Sequence, residues 1–259
     1  MRRVAALIVA LGIAAPAAAY DADALVSASK GDLPLILTAP HDGTETVGLV
    51  ASRTSGATVR DLGTGELAQR SADHIERKIG KRPYLVIARF SRKYVDANRP
   101  PEEAVDSEAA MPAYRAYHDR VQGYIAEIRK RFPEGALLID VHGQGQEANV
   151  IFRGTRNGLT AKSLMARSGP EALLGPKSLV GELAARGYRV NPAPDGSTLE
   201  EDRRFNGGFT VFRYGSQRPD GVDAIQLEFG SAYRAQSKLA EDLADSFVAF
   251  MRTQRLIAD

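Results

Sequence analysis

The chain has 259 residues, a formal charge of +2 and no cysteine, with 34 Lys plus Arg against 32 Asp plus Glu. The missing cysteines exclude disulfides, thiolate metal sites and cysteine nucleophiles, so any metal must be held by histidine and carboxylate. The balanced charge carries no global signature of nucleic-acid or anionic-membrane binding.

Met1-Arg2-Arg3, an apolar run to residue 15 and Ala17-Ala18-Ala19 before Tyr20-Asp21 have the positive start, short apolar core and A-x-A site of a secretory signal peptide. Residues 1–19 are therefore expected to be removed, leaving 20–259 as a single domain, periplasmic or secreted, with no stable membrane insertion after cleavage. Loss of Arg2 and Arg3 leaves the mature chain formally neutral.

Residues 32–38 (DLPLILT) are a short apolar run of the buried-strand kind, stopping at APHDG, residues 39–43. The Thr-, Ser-, Gly- and Arg-rich stretch 47–65 has no sustained period and reads as a loop. Leu67, Ser71, Ile75 and Ile79 recur every four residues, a helix closed by Gly80 and Pro83. YLVIARF (84–90) is a second buried strand, followed by the polar SRKYVDANRPP. Tyr114, Tyr117, Val121, Tyr124, Ile125, Ile128 and Phe132 have helical spacing, stopped by Pro133 and Gly135.

ALLIDVHGQG (136–145) is a buried strand that delivers a histidine to its end. Short strands are expected at 149–152, 188–190, 210–214 and 224–229, a helix from Pro176 to Gly187, and a closing helix at about 237–255. Strands alternating with helices predict an α/β fold, a three-layer α/β/α sandwich with a mixed, mostly parallel central sheet.

Of the four histidines, His74 and His118 sit on amphipathic helices and read as surface or boundary residues. His41 and His142 each end a buried strand before a glycine, where ligands collect in open α/β sheets. Two such histidines plus a carboxylate are the donor set of a catalytic zinc site. Glu45 is the carboxylate nearest His41 in sequence, with Asp42 and Asp61 as competitors. Asp140 lies two residues before His142, on the same face of a strand, where it can fix an imidazole tautomer. Glu228 is the lone acid in the apolar run AIQLEFG (224–230), an expensive place for a carboxylate without a use, and is the candidate proton acceptor. Arg92, Asn98 and Arg99 crowd one strand end, where guanidinium groups can polarise a carbonyl or grip a carboxylate. No G-x-S-x-G elbow supports a serine hydrolase.

Five motifs, APHDG (39–43), SRKYVDANRP (91–100), LLIDVHG (137–143), FNGGF (205–209) and IQLEFG (225–230), occur in an order and spacing that resembles the N-formylglutamate amidohydrolase family, related to zinc carboxypeptidases and aspartoacylases. The resemblance implies Zn2+ held by His41, His142 and an acid from the first motif or its following loop. It implies Glu228 as general base, Arg92 as the arginine facing the carbonyl, Asn98 and Arg99 as a clamp on a substrate carboxylate, and Gly207 and Gly208 in a substrate loop. The wider group uses H-x-x-E, whereas here the glutamate follows His41 by four; Glu45 is therefore backed by Asp61 as the alternative ligand. The expected activity is hydrolysis of the amide of an N-acyl amino acid or short peptide bound through its carboxylate, N-formylglutamate-like. The alternative is a periplasmic metallocarboxypeptidase or amidase acting on cell-wall peptides. A noncatalytic binding protein of the same fold is the third reading.

Overall fold

The computed structural model describes residues 20–258; the expected signal peptide, residues 1–19, lies outside the described residues. Seven strands form one sheet: β1 Val26–Ser29, β2 Leu35–Ala39, β3 Tyr84–Ala88, β4 Leu137–Gln144, β5 Ile151–Gly154, β6 Val190–Asn191 and β7 Asp223–Gly230. Their spatial order is β1-β3-β2-β4-β7-β5-β6. The centre, β3-β2-β4-β7, is parallel, while β1 joins β3 and β5 joins β7 antiparallel. The helices, in chain order, are α1 Thr64–Ile79, α2 Pro101–Ala104, α3 Met111–Arg131, α4 Lys162–Ser168, α5 Glu171–Leu174, α6 Leu179–Ala185, α7 Phe209–Tyr214, α8 Ser231–Arg234 and α9 Leu239–Thr253.

The central strands are apolar throughout because both faces are covered. On β2, Leu35, Leu37 and Ala39 join one core with α1, α6 and α9, while Ile36 joins the other with α3 and α7. The side-chain period of two thus feeds two separate cores, one on each side of the sheet, and makes three layers. The expected α/β/α architecture is observed. Among the described residues no helix is long and apolar enough to cross a membrane.

Three local expectations change. β1 was not anticipated: its burial is partial, and its apolar content too low to register as a strand. Residues 210–214, expected as a strand, belong to helix α7. Thr210, Val211 and Tyr214 are its buried residues, spaced i, i+1 and i+4 as one helical face, which five residues of sequence cannot distinguish from alternation. His118 is not a surface or boundary residue. It lies on the buried stripe of α3 with Tyr114, Tyr117 and Val121, and its ring is satisfied by Ala97 O at 3.0 Å from Nε2 and the Tyr214 hydroxyl at 2.9 Å from Nδ1. Those partners suit a neutral ring that donates from Nε2 and accepts at Nδ1.

Burial lowers the pKa of His118 from its ordinary 6.5 to about 4. The unfolded chain therefore binds a proton that the folded protein refuses, and the stability contributed above pH 6.5 is lost as pH falls towards 4. The stabilisation of wild type over His118→Asn should shrink by on the order of 3 kcal/mol between about pH 7 and about pH 4, read from urea unfolding at each pH. A stability difference that does not change with pH would contradict this assignment.

Candidate metal centre

The carboxyl ends of the parallel strands turn polar on the face that looks towards α3 and α7. Leu138, Asp140 and His142 follow one another on that face of β4, Ala224, Gln226 and Glu228 on β7, and Ile36 and Thr38 on β2. The register sets Thr38 beside Asp140, Asp140 beside Gln226 and His142 beside Glu228. His41 arrives two residues beyond β2. The loop before α1 brings Asp61 over it, tied by the Asp61 N–H donating to His41 O at 3.1 Å.

His41, Asp61 and His142 are all buried and offer three ligand atoms that lie within 4.8 Å of one another, so they could hold a metal ion. Nδ1 of His41 is 3.3 Å, and Nδ1 of His142 3.1 Å, from the same oxygen, Asp61 Oδ2. The rings stand edge to face, centroids 4.8 Å apart. Each remaining nitrogen is occupied: His41 Nε2 lies 2.7 Å from Asp96 Oδ1 and His142 Nε2 lies 2.8 Å from Asp140 Oδ2. With Nε2 held by these carboxylates, Nδ1 of each ring donates to Asp61 when protonated, and would offer its lone pair to a divalent cation once that proton is displaced. Asp140 is itself fixed by the Thr38 hydroxyl at 2.6 Å. Asp96 also accepts from the Asn98 N–H at 3.0 Å and from Arg92 Nε at 3.0 Å.

Burial alone would raise the Asp61 carboxyl, but the hydrogen bonds from His142 and His41 hold it well below the usual carboxylate range. Asp96 is likewise low, because the charge and hydrogen bond of His41 and the guanidinium of Arg92 outweigh its burial. Burial would lower His142, yet the charge and hydrogen bond of Asp140, then Asp61 and Glu228, push it well above the ordinary histidine value. Glu228 goes the opposite way to Asp61: burial raises it more than His142 lowers it.

The acid that joins the histidines is Asp61, and Glu45 stands apart. After His41 the backbone runs against the end of β3, where the Glu45 N–H donates to Arg89 O at 2.9 Å and Glu45 O accepts from Ser91 N at 2.8 Å. That edge pairing turns the Glu45 side chain outwards to Arg89 Nε at 2.8 Å. Asp42, the other competitor, accepts from the N–H groups of Gly63 at 3.0 Å and Gly65 at 2.9 Å and so holds the start of α1. Arg92 reaches the site but is engaged by Asp96, and by Asp61 at 3.5 Å. Asn98 faces inwards, its oxygen accepting from Thr210 N at 2.7 Å. Arg99 is exposed on the cleft. Gly207, with φ +109°, and Gly208 also line it, and a Cβ on Gly208 would run into the Asn98 amide.

Sequence reading missed Asp96, Gln226 and Arg53. Asp96 stood in plain view inside SRKYVDANRP, but only the fold shows that it meets His41. Gln226 donates to Glu228 Oε1 at 2.9 Å and accepts from Gly208 N at 2.8 Å, joining the glycine loop to Glu228. Arg53, buried, donates to Arg92 O at 3.1 Å and lies 3.8 Å from Asp96.

A cleft of about 670 Å³ opens over this cluster. Among the described residues, seven arginines and two carboxylates, Asp61 and Glu228, line it. Arg60 is paired with Asp42, Arg92 with Asp96, and Arg204 with Asp202 and Glu147.

No family model matches the sequence, and no curated protein matches it. Solved structures do. The fold is similar to that of N-formylglutamate amidohydrolase from Ralstonia eutropha JMP134, with a TM-score of 0.57 and 16% identity over 90% of this chain and 96% of that chain. It is also similar to gene product Atu2144 from Agrobacterium tumefaciens, with a TM-score of 0.54 and 18% identity over 90% of this chain and 94% of that one. At these identities the likeness shows a shared fold, the one expected from the five motifs.

Metal analysis by emission spectroscopy of purified variants tests the ligand set. His142→Ala and Asp61→Asn should lose stoichiometric metal, whereas Glu45→Gln should keep it. Asp96→Asn should retain the site with affinity about 10- to 100-fold weaker. Loss of metal in Glu45→Gln with retention in Asp61→Asn would reverse the assignment.

Proposed function

We propose that the protein is an exported, zinc-dependent amidohydrolase that cleaves the amide of an N-acyl amino acid or short peptide bound through its carboxylate. One observation carries this reading. A buried two-histidine, one-carboxylate cluster stands beside a second carboxylate with the opposite shift, in a cleft rich in cationic side chains. His41, Asp61 and His142 would hold the metal, and the absence of cysteine leaves only such harder ligands. A zinc ion bound there supplies Lewis acidity, making a water more acidic and polarising a carbonyl oxygen.

The chain's own residues do the rest. Glu228, its proton affinity raised by burial, accepts a proton from the attacking water as the C–O bond forms, then returns it to the amide nitrogen as the C–N bond breaks. Its Oε1 is held by Gln226, which fixes the direction of transfer. Asp140 and Asp96 keep the imidazoles in the tautomer that faces the site. Arg99 and Arg203, exposed on the cleft and without an acidic partner among the described residues, offer a substrate carboxylate its counter-charge. The signal-like start supports action in the periplasm or outside the cell.

A panel of N-formyl-, N-acetyl- and γ-glutamyl-amino acids and cell-wall peptides, assayed by amine release, tests the activity and separates the small acyl substrate from the peptide. On whichever substrate turns over, Glu228→Gln should lower kcat about 10²- to 10⁴-fold while metal content stays at the wild-type level. Turnover like that of wild type in this variant would remove Glu228 from the mechanism.

A further inference from the structure

Arg234 closes α8, four residues past the end of β7, and its guanidinium folds back over Gly143 on β4. The fit requires glycine, since a Cβ at residue 143 would coincide with Arg234 Nη1 and crowd Cζ. The Gly143 N–H donates to Asp61 Oδ2 at 3.2 Å, so the guanidinium lies one peptide unit from the metal-ligand carboxylate. Arg234 lines the same cleft as His41, His142 and Glu228.

The side chain has no partner where one is needed. Nε and Nη1 are buried and neither finds an acceptor among the described residues. A guanidinium remains charged at any physiological pH, and buried donors left unsatisfied are costly, more so when charged. The neighbouring carboxylates that favour its charge are Asp61, Glu228 and Asp42, yet none makes an ion pair with it, and burial still holds it below the ordinary arginine value. Arg92 differs: Asp96 and Asp61 already engage it. Of these two arginines beside the reacting centre, Arg234 is the one without a partner among the described residues, and Nη2, neither paired nor among its buried nitrogens, is the atom open to the cleft.

We propose that Arg234 is the substrate-contacting arginine of the site, giving its Nη2 to the carbonyl oxygen on which negative charge develops, and that residue 143 is glycine to let the guanidinium lie there. The proposal rests on the amide-hydrolysis reading and replaces the expectation that Arg92 meets the carbonyl. A donor aimed at developing charge contributes mainly to kcat, and removing one typically costs about 10²- to 10³-fold.

Two measurements on the purified protein test this, with metal content and melting temperature recorded for each variant. The first is calorimetric titration with inorganic phosphate, a small anion used as the probe. Arg234→Ala and Gly143→Ala should weaken phosphate at least about tenfold, Arg234→Lys should weaken it less, and Arg77→Ala, on an exposed part of α1, should match wild type. The second is steady-state kinetics on a substrate that wild type cleaves, where Arg234→Ala should lose about 10²- to 10³-fold in kcat with KM little changed. Phosphate affinity unchanged in Arg234→Ala, no phosphate binding by wild type, or an unchanged kcat each overturns the role. If wild type cleaves no amide, hydrolysis fails as a reading, and the phosphate titration alone decides whether Arg234 takes an anion.

Discussion

A neutral imidazole can ligate through either nitrogen, and the hydrogen bond made by the other nitrogen decides which. In this protein both decisions are made by carboxylates with no solvent exposure, Asp96 for His41 and Asp140 for His142. Burying them is tolerable only because their oxygens are filled. Thr38 completes Asp140, and Arg92 with the Asn98 N–H completes Asp96. The result is a pair of rings whose free edges converge on one oxygen of Asp61.

The sequence made the strand-end histidines legible because a buried parallel strand is a continuous apolar run, and a polar residue at its end is conspicuous. The same logic exposed Glu228 and Asp140, both placed by the period of two. It left the third acid open between Glu45 and Asp61, because proximity along a chain is a poor guide where the backbone changes direction. Glu45 is four residues from His41 but lies on an edge pairing with β3, whereas Asp61, twenty residues away, is returned to His41 by the start of α1. Asp42 accepts from the Gly63 and Gly65 N–H groups at the start of that helix, and the Asp61 N–H bonds directly to His41 O. Asp96, Gln226 and Arg53 escaped notice because their partners come from other segments. Helix α7 and strand β1 were too short for their periodicity to be decisive.

Gln226 couples parts of the site that sequence reading treats separately. One amide group donates to Glu228 and accepts from the backbone of Gly208, so the position of Glu228 and that of the glycine loop are set together. Gly208 also packs against the Asn98 amide, whose oxygen is bound to the first turn of α7. Asn98 thus forms part of the cleft wall and fixes the glycine loop against it.

Asp61 and Glu228 share one cleft, yet their environments drive them apart. Both are penalised by burial. Asp61 receives hydrogen bonds from two imidazoles and the Gly143 N–H, which favour its ionised form, whereas the hydrogen bond to Glu228 comes from a neutral amide, and its nearest ionic neighbour, His142, is already engaged by Asp140 and Asp61. A carboxylate kept ionised is suited to holding a cation, and one with raised proton affinity to carrying a proton. The division follows from strand geometry. Glu228 and His142 are side by side in register on β7 and β4, so their side chains lie parallel, and Asp61, descending from a loop above the strand ends, meets the ring edges that Glu228 cannot reach.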